Sequence, residues 1–479
     1  MLAKRVLLTA IAIVLAACSA EAPSSDDALS EEAQSAPAGE SGLDVLEARF
    51  ASSPARVAGQ IDLRGKRIAL VVNQTAVTVR GKHAIDVFRD AGLDVVKVFA
   101  PEHGARGEAE AGVPVTSGRD RSGVPLVSLH GSKKKPSRED LADVDLVFFD
   151  IQDVGARFYT FVSTLGLVME AAGEQGKTMF VLDRPNLTGS RVDGPVLDPR
   201  TLAARAEERA KGPGFVGMYP VPIEHGMTVG ELATYVKGEG LVAAASALTL
   251  HVVRSVGYAR GTTLAQQRLY YAPSFGRPAP GETTPLRPSP NLRSENAILL
   301  YPGTCLLEGT SLSEGRGTDA PFEVVGAPWI TGDLGVLAAT VKAHACPSAT
   351  DCPIGGRDVV SVTPAEVVPS SNKYAGLKVR GLALRVTDPK AFRAVPLGVA
   401  ILTAVNRLYR KDLQWAQGGV PDGGAWLRAL WGSDGLRLAV ERPEADLARA
   451  TTDLMASLGP ARERFLATRT RYLFPEYSR

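Results

Sequence analysis

The sequence predicts an α/β protein with a Rossmann-like domain, built on a parallel sheet, and a second, smaller α+β domain. From about residue 61 to residue 183, short runs of Val, Leu and Phe alternate with helical stretches. Continuous apolar strands between helices are typical of a parallel sheet covered on both faces. The chain has 479 residues, more than one ordinary domain holds, and its pattern changes after residue 333. Two domains are therefore expected.

The elements of the first domain follow one another in a regular order. The strand candidates are short and rich in β-branched or aromatic residues: RIALVV, DVVKVFA, PLVSL, DLVFFD and TMFVLD. Helical stretches lie between them: GKHAIDVFRDAG, a short helix beginning at REDLAD, and TFVSTLGLVMEAAGEQG. We expect this domain to span residues 44–325.

The C-terminal part has a different order of elements. The helices GDLGVLAATVKAHA and PLGVAILTAVNRLYR enclose two consecutive strands, DVVSVTPAEV and GLKVRGLALRVTD. Adjacent strands with helices before and after them favour an α+β domain, which we assign to residues 326–479. The last stretch, residues 436–479, is helical and charged and is predicted to be a solvated face.

The N-terminus has the pattern of an export signal. A basic start precedes an apolar run that is too short to span a bilayer. The motif LAAC ends at Cys18 and resembles a bacterial lipobox, so residues 1–18 are predicted to be a lipoprotein signal peptide and Cys18 the lipidated residue. An ordinary signal peptide with a chance cysteine is the alternative. Residues 19–43 are rich in Ser, Ala and acidic residues and are expected to be a flexible tether. Ser19 favours the outer membrane of a Gram-negative host, on its periplasmic side.

Charge and cysteine content exclude several classes of protein. The formal net charge of +2 argues against a nucleic-acid partner, since such proteins usually have a basic surface. No C-x-x-C or H-E-x-x-H motif occurs, and the six histidines are scattered, so no metal site is expected. Cys346 and Cys352 are predicted to form a disulfide, which an oxidising compartment permits, and Cys305 to be a buried free thiol.

Polar residues follow every predicted strand of the first domain. The carboxyl ends of parallel strands share one edge of a sheet, and ligands bind there. A helix cap explains any single polar strand end equally well, but five such ends together favour a site. They are Asn73-Gln74, Pro101-Glu102-His103-Gly104, His130-Gly131, Asp150 with Gln152-Asp153, and Asp183-Arg184-Pro185-Asn186.

The residue types at these strand ends indicate the chemistry. No G-x-G-x-x-G follows the first strand, so no nucleotide cofactor is expected, and no other cofactor is indicated. The segment GEQGKT resembles a Walker A loop but has the wrong spacing and precedes its strand. A G-x-S-x-G elbow is also missing. Carboxylates, arginines and aromatic residues remain, and they suit a carbohydrate with an acidic group.

A second dense segment, residues 287–329, has many charges among its glycines and prolines. It contains Glu308, Glu314, Arg316, Glu323 and Trp329. Charged loops of this kind usually serve binding, although a tight connector would need the same glycines.

Seven blocks of the sequence are long or chemically unusual: PEHGARGEAEAGVPV, VFFDIQDVGARFYTF, VLDRPN, HGMTVGELA, PSPNL, YPGTCLLEGTSLSEGRGT and PFEVVGAPW. In this order they resemble the signature blocks of the exo-acting β-N-acetylmuramidases, a glycoside hydrolase family long known as a domain of unknown function. The resemblance implies a Rossmann-like N-terminal domain, a smaller C-terminal domain and an active cleft between them. It also implies that peptidoglycan-derived glycans are the partners, with N-acetylmuramic acid (MurNAc) released from their non-reducing ends.

The resemblance also implies catalytic roles. The glutamate of the E-H-G block is Glu102, which is the favoured catalytic acid. A glycosidase needs a second carboxylate that attacks the anomeric carbon or activates water. Glu314, Asp153 and Asp150 are candidates for it, with Glu314 and Asp153 preferred.

Further residues are expected to bind the substrate. Arg157, Arg184 or Arg316 is expected to hold the lactyl carboxylate, which MurNAc has and N-acetylglucosamine (GlcNAc) lacks. For each arginine a structural ion pair is an equally good interpretation. The expected binding residues are His103, Asp150, Gln152, Arg157, Tyr159, Arg184, His225, Arg316 and Trp329.

Two other functions stay open at this point. A sugar- or muropeptide-binding lipoprotein without activity fits the signal, the tether and the cleft equally well. The many acids favour an enzyme, because a pure binder gains little from unpaired buried charges. An amidase or esterase acting on the same polymer is a third interpretation, against which the missing metal ligands and nucleophile elbow count.

Overall fold

The structure of the protein is a computed structural model that describes residues 39–52, 56–57, 61–107, 115–199, 206–262, 287–443 and 449–478. The predicted signal peptide and most of the tether lie outside the described residues. From Gly39 onward the chain is one compact unit. Within it, we call residues 39–262 the N-terminal half and residues 287–478 the C-terminal half.

The N-terminal half is built on a mostly parallel sheet. The strands of this half are β1 (Arg56–Val57), β2 (Ile61–Asp62), β3 (Arg67–Val72), β4 (Asp94–Ala100), β5 (Gly118–Arg119), β6 (Pro125–Ser128), β7 (Leu146–Asp150), β8 (Thr178–Leu182) and β9 (Thr249–Val253). Strands β1 and β2 pair with each other in a separate antiparallel sheet. Seven strands form the large sheet in the order β5-β6-β4-β3-β7-β8-β9, and only β5 runs antiparallel to its neighbour. The chain winds away from β3 in both directions, so the strand order reverses there, and ligand sites of open parallel sheets lie beside such a reversal.

The helices of this half are α1 (Gly42–Ser52), α2 (Ala84–Asp90), α3 (Phe161–Glu174), α4 (Ala206–Arg209) and α5 (Val229–Gly238), with a 3₁₀ helix at Gly212–Val216. Helix α3 is buried from Phe161 to Gly173, that is, on all its faces. A helix buried on all its faces belongs inside a large protein, and its N-terminus is therefore fixed firmly beside the sheet edge.

The predicted fold class is confirmed, and two elements differ from the prediction. TMFVLD is the last strand predicted for the first domain, but β9 adds a further parallel strand beside β8. The sequence of β9, TLHVV, was missed because a polar residue interrupts it; His251 stacks on Phe180 with ring centroids 5.0 Å apart. The helix predicted at REDLAD is wrong: residues 138–144 form turns, with Leu141 and Val144 donating to carbonyls three residues earlier. The backbone hydrogen bonds of this segment span three residues instead of four, so it forms consecutive turns and not an α-helix.

The C-terminal half contains the smaller sheet. Its strands β10 (Val324–Ala327), β11 (Val360–Val367) and β12 (Val379–Val386) are antiparallel in the order β10-β12-β11, and β13 (Ala416–Gln417) pairs with β14 (Val420–Pro421) in a hairpin. The predicted domain limit between residues 325 and 326 falls inside β10, and α1 begins at Gly42 within the predicted tether.

The helices of this half are α6 (Glu295–Thr304), α7 (Leu334–Ala345), α8 (Ala394–Tyr409), α9 (Ala425–Trp431), α10 (Gly435–Val440), α11 (Ala450–Ser457) and α12 (Gly459–Arg469), with 3₁₀ helices at Cys305–Gly309, Thr470–Tyr472 and Pro475–Ser478. Helices α6 and α8 pack closely through Gly303 and Gly398. A Cβ at Gly398 would lie 2.3 Å from the carbonyl oxygen of Gly303, so neither position has room for a side chain.

The C-terminal stretch differs from the predicted solvated face at its end. Phe474 and Tyr477 are buried. The Tyr477 hydroxyl donates to Asp183 Oδ2 at 2.8 Å, and the backbone N–H of Phe474 donates to Glu231. The end of the chain therefore packs on the N-terminal half, although its helices are charged.

The described cysteines have two different states. Cys346 and Cys352 form a disulfide, whereas Cys305 is a buried free thiol. In the part of the chain that the structure describes, none of the helices combines the length and the hydropathy needed to cross a membrane.

Candidate active site

A cavity of about 490 Å³ lies between the carboxyl edge of the large sheet and the loops of the C-terminal half. The loops after β4, β6 and β7 form one wall, and residues 301–322, 372–373 and 417–430 contribute to the other. Five of the predicted site residues line it: Glu102, His103, Tyr159, Glu314 and Arg316.

Glu102 lies in a tight turn directly after β4. The N–H of Gly104 donates to the carbonyl of Pro101 at 3.1 Å and closes the turn. Thr160, at the N-terminus of α3, donates its hydroxyl to Glu102 Oε2 at 3.2 Å. The half-buried carboxyl group is thus oriented by a neutral donor at the cavity wall.

Left-handed backbone is concentrated at this cavity. Among the described residues other than glycine, positive φ angles occur at His103 (74°), Phe322 (65°), Asn372 (63°) and Tyr374 (63°). The first three line the cavity. Such conformations are costly for residues with a Cβ and persist where the surrounding structure enforces them, commonly at functional sites.

Glu314 faces the cavity from the C-terminal half and is paired with two cations. Its carboxylate accepts from Lys373 Nζ at 3.0 Å and lies 3.3 Å from Arg316 Nε. Lys373 is itself held by the carbonyls of residues 307, 310 and 312. Because these two cations balance a negative charge on Glu314, we expect it to act as the nucleophile or base of a glycosidase and not as its acid.

Arg316 bridges two carboxylates of the lining. Its Nη2 lies 2.6 Å from Glu308 Oε1, and its Nε lies near Glu314. The guanidinium also lies over the ring of Phe322, 4.9 Å from the ring centroid. Its contacts are therefore largely satisfied within the protein.

Aromatic side chains form much of the remaining lining. They are Phe158, Tyr159, Phe161, Phe215, Tyr301, Phe322 and Trp426. Several make edge-to-face contacts, such as Tyr159 with Phe161 at 4.9 Å and Tyr301 with Phe322 at 4.9 Å between centroids. These contacts hold the rings in place, and an apolar wall with a few polar groups is typical of a small-molecule site.

The structure places the other predicted residues outside the lining. Asp150 and Arg184 form a buried ion pair, with Arg184 Nε 2.5 Å from Asp150 Oδ1. Burial raises the pKa of Asp150, whereas the Arg184 guanidinium acts in the opposite direction. Gln152 donates to the carbonyls of Asp153 and Pro185, both at 2.6 Å. These contacts fix the loop after β7 to its neighbour after β8.

Arg157 is buried away from the cavity lining. Its guanidinium donates to the carbonyls of Pro195, Val221 and Leu430 at 2.6 to 2.8 Å. Burial lowers the pKa of this guanidinium to about 9. Since Leu430 belongs to α9, Arg157 ties the C-terminal half to the loop after β7.

Asp153, His225 and Trp329 also lie outside the lining. Asp153 Oδ2 accepts from the Gly155 N–H at 2.7 Å and lies 3.5 Å from His225 Nε2. Trp329 donates its indole N–H to the Tyr374 hydroxyl at 3.2 Å. Of the carboxylates proposed for the second catalytic role, the structure therefore brings Glu314 into the cavity with Glu102.

Sequence reasoning missed several lining residues, which are Lys134, Thr160, Phe215, Asn372, Lys373 and Trp426. Lys134 follows the strand β6 closely, so the rule that identified Glu102 could have found it. Lys373 comes from a loop of the antiparallel sheet, and no pattern in its neighbourhood indicates a site. Among the described residues, no group of three or more His, Cys, Asp or Glu is arranged to hold a metal ion.

Comparisons with known proteins agree with this architecture. Residues 68–280 match the family model described as exo-beta-N-acetylmuramidase NamZ, N-terminal, and residues 299–474 match its C-terminal counterpart. The chain is 37% identical over 372 residues to the peptidoglycan beta-N-acetylmuramidase NamZ of Bacillus subtilis (strain 168), covering 76% of this chain and 80% of that protein.

Two crystal structures of DUF1343 family proteins from Bacteroides fragilis NCTC 9343 are similar in fold. One has a TM-score of 0.71 at 24% identity and covers 91% of this chain and 99% of its own. The other has a TM-score of 0.63 at 27% identity and covers 91% of this chain and 98% of its own. Because its halves match both family models and its identity to the curated relative extends over most of both chains, this chain belongs to the exo-β-N-acetylmuramidase NamZ family of glycoside hydrolases.

Proposed function

We propose that the protein is an exo-acting glycoside hydrolase that releases MurNAc from the non-reducing ends of peptidoglycan fragments, with Glu102 as the general acid. The observation that carries the proposal is the shared cavity of Glu102 and Glu314. Two carboxylates on opposite walls of one cavity are the arrangement with which most glycoside hydrolases cleave a glycosidic bond. The relative from Bacillus subtilis, named for this activity, supports the substrate.

The two carboxylates have different roles in this proposal. Glu102 donates its proton to the glycosidic oxygen as the bond to the anomeric carbon breaks, so that the leaving sugar departs as an alcohol. Thr160 holds Glu102 Oε2 and orients the carboxyl group. Glu314, kept in place by Lys373 and Arg316, attacks the developing cation or activates the water that does so.

The proposal includes the place where the enzyme works. Export through the signal peptide and lipidation at Cys18 would hold it at a membrane, on the periplasmic side of the outer membrane in a Gram-negative host. The tether would let the active site reach cell-wall fragments near that surface. The basic start, the short apolar run and the LAAC motif support this part of the proposal.

The activity is tested by incubation with a synthetic MurNAc–GlcNAc disaccharide that carries MurNAc at its non-reducing end. We expect mass spectrometry to show free MurNAc and free GlcNAc with the wild-type protein. A disaccharide with the two sugars exchanged is the control for specificity. If the MurNAc-capped disaccharide binds but stays intact, the protein is a binding lipoprotein and the proposed activity is wrong.

A further inference from the structure

Three consecutive lysines follow strand β6, and two of them are paired with carboxylates. Lys133 Nζ lies 2.8 Å from Asp140 Oδ2. Lys135 Nζ lies 3.0 Å from Glu170 and 2.8 Å from Glu174, both on α3. Because the Glu170 side chain is fully buried, the second pair fixes this loop firmly against the helix that begins beside Glu102.

Lys134, between them, makes no ion pair with a carboxylate of the described residues. It is half-buried and lines the cavity, and its Nζ lies 3.7 Å from the centroid of the Phe215 ring. Burial lowers the pKa of the Lys134 ammonium, and the Glu102 carboxylate nearby opposes this change. A partly desolvated ammonium that lies over an aromatic face and makes no ion pair gains from an anion brought by the ligand.

The other strong cations of the described lining are already paired. Arg316 contacts Glu308 and Glu314, and Lys373 contacts Glu314 and three backbone carbonyls. Arg157 and Arg184 are buried outside the lining with partners of their own. An acidic group of a ligand would therefore meet its most available positive charge at Lys134.

We propose that Lys134 binds the lactyl carboxylate of the substrate and determines the preference for MurNAc over GlcNAc. This inference rests on the proposed function. The lactyl group and the scissile bond belong to the same sugar ring. The cation that binds the lactyl carboxylate must therefore lie in the same cavity as the acid that protonates the glycosidic oxygen. Lys134 and Glu102 meet this condition, because they follow β6 and β4, which are adjacent parallel strands.

Substitution of Lys134 by Met tests the inference directly, since it keeps an unbranched apolar stem over Phe215 and removes the charge. The measured quantity is the ratio of kcat/KM for the 4-nitrophenyl β-glycosides of MurNAc and GlcNAc. We expect Lys134→Met to lower this ratio by roughly 10- to 100-fold, the range of a charge-assisted hydrogen bond. Lys134→Arg should retain a substantial part of the preference. Lys133→Met, one residue earlier in the same loop, should leave the ratio at its wild-type value.

A modified substrate separates the charge from other effects of the substitution. When the lactyl carboxylate is converted into a neutral amide, the wild-type enzyme should lose about as much kcat/KM as Lys134→Met loses with the acid. Lys134→Met should then show little further loss with the amide. Thermal unfolding of each variant shows whether the fold is intact, and binding of free MurNAc measured by calorimetry gives a readout independent of hydrolysis.

The outcomes distinguish this inference from the function on which it rests. A wild-type enzyme that prefers MurNAc, with a ratio that Lys134→Met does not change, would overturn the role of Lys134 and leave the function in place. Equal losses on both glycosides would also overturn it, because Lys134 would then act on Glu102 or on the fold. Should the wild type cleave neither glycoside nor bind MurNAc, the function and the inference both fail.

Discussion

Glu102 and Glu314 occupy the same cavity, yet their surroundings differ in a way that assigns them different roles. Glu102 is half-buried and takes a hydroxyl donor from Thr160. Glu314 is almost fully buried between a lysine and an arginine. This difference in hydrogen-bond and ion-pair partners supports the division into an acid and a second carboxylate that glycosidases use.

The dependence of kcat on the leaving group tests whether Glu102 is the catalytic acid. Glu102→Gln preserves shape but removes the transferable proton, so kcat on the MurNAc–GlcNAc disaccharide should fall by at least about 10²–10⁴-fold. A 4-nitrophenol leaving group needs little protonation, and the defect on that glycoside should be much smaller. Steady-state kinetics on both substrates measure the difference. Equal defects would assign Glu102 another role, and full activity on both would remove it from the mechanism.

The identity of the second carboxylate follows from a comparison of two variants. Glu314→Gln should lower kcat on both substrates by about 10²-fold or more, since it removes the charge that faces the reacting carbon. Asp153→Asn should cost much less, because Asp153 lies outside the lining, near His225. Thermal unfolding controls for the loss of the Lys373 partner in the first variant. A larger kinetic loss from Asp153→Asn than from Glu314→Gln would reverse this assignment.

The residues at strand ends show how far a sequence can predict the site. Polar strand ends indicated Glu102 and His103, which line the cavity, because a parallel sheet exposes its carboxyl edge. The same rule selected Asp150 and Arg184, which the structure instead pairs with each other outside the cavity lining. The sequence does not show which side chains at the carboxyl edge of the sheet face the ligand and which hold neighbouring loops together. That depends on the side-chain rotamers and on packing against the C-terminal half.

At the scale of elements, helix α2 links the site to the centre of the sheet through its N-cap, His83. The Nδ1 of His83 accepts from the Ile85 N–H at 3.3 Å, and its Nε2 contacts the carbonyls of Asn73 and Ala105 at 3.0 and 3.1 Å. This pattern requires a neutral ring with its proton on Nε2. Ala105 belongs to the loop that carries Glu102, so the imidazole ties that loop to the end of β3.

The protonation state of His83 makes stability depend on pH. Burial, with the positive charge of Arg106, lowers the pKa of His83 to about 4 from its ordinary value of 6.5. At pH values between these two pKa values, His83 is protonated in the unfolded chain but stays neutral in the folded protein. The free energy of unfolding should therefore fall as the pH drops from about 6.5 to 4, by up to roughly 3 kcal/mol.

Chemical denaturation at several pH values checks this expectation. His83→Asn can still cap α2, and it should flatten the pH dependence between about pH 4 and pH 6.5 while lowering stability at neutral pH. His251→Gln, which removes a half-exposed histidine on the edge strand β9, is the matched control and should keep the wild-type slope. If His83→Asn retains that slope, other groups determine the acid sensitivity.

At the scale of the whole molecule, the cavity exists only because two halves with different architectures are held together. Arg157 ties Leu430 of α9 to the N-terminal half, and Arg469 of α12 donates to the carbonyls of His225 and Gly226. The sequence predicted each half from its own pattern of strands and helices. It could not predict these ties, because a charged residue in a helical stretch such as Arg469 is more often solvated than buried, and an arginine after a strand such as Arg157 suggests a ligand site equally well.

Lipid anchoring is a property of the whole molecule that the sequence alone predicts. In the wild type we expect cleavage before Cys18, lipidation of its thiol and a protein that fractionates with membranes, since LAAC follows a short apolar run and precedes a polar tether. One lipid chain gives only marginal membrane binding, so stable anchoring requires the several chains that a mature bacterial lipoprotein carries. Cys18→Ser should stay unlipidated and keep its signal peptide, which intact-mass measurement detects directly. In a Gram-negative host, Ser19→Asp should keep the lipid and move the protein from the outer to the inner membrane fraction. Unchanged processing and fractionation of Cys18→Ser would show that the signal is an ordinary one and that the enzyme is released.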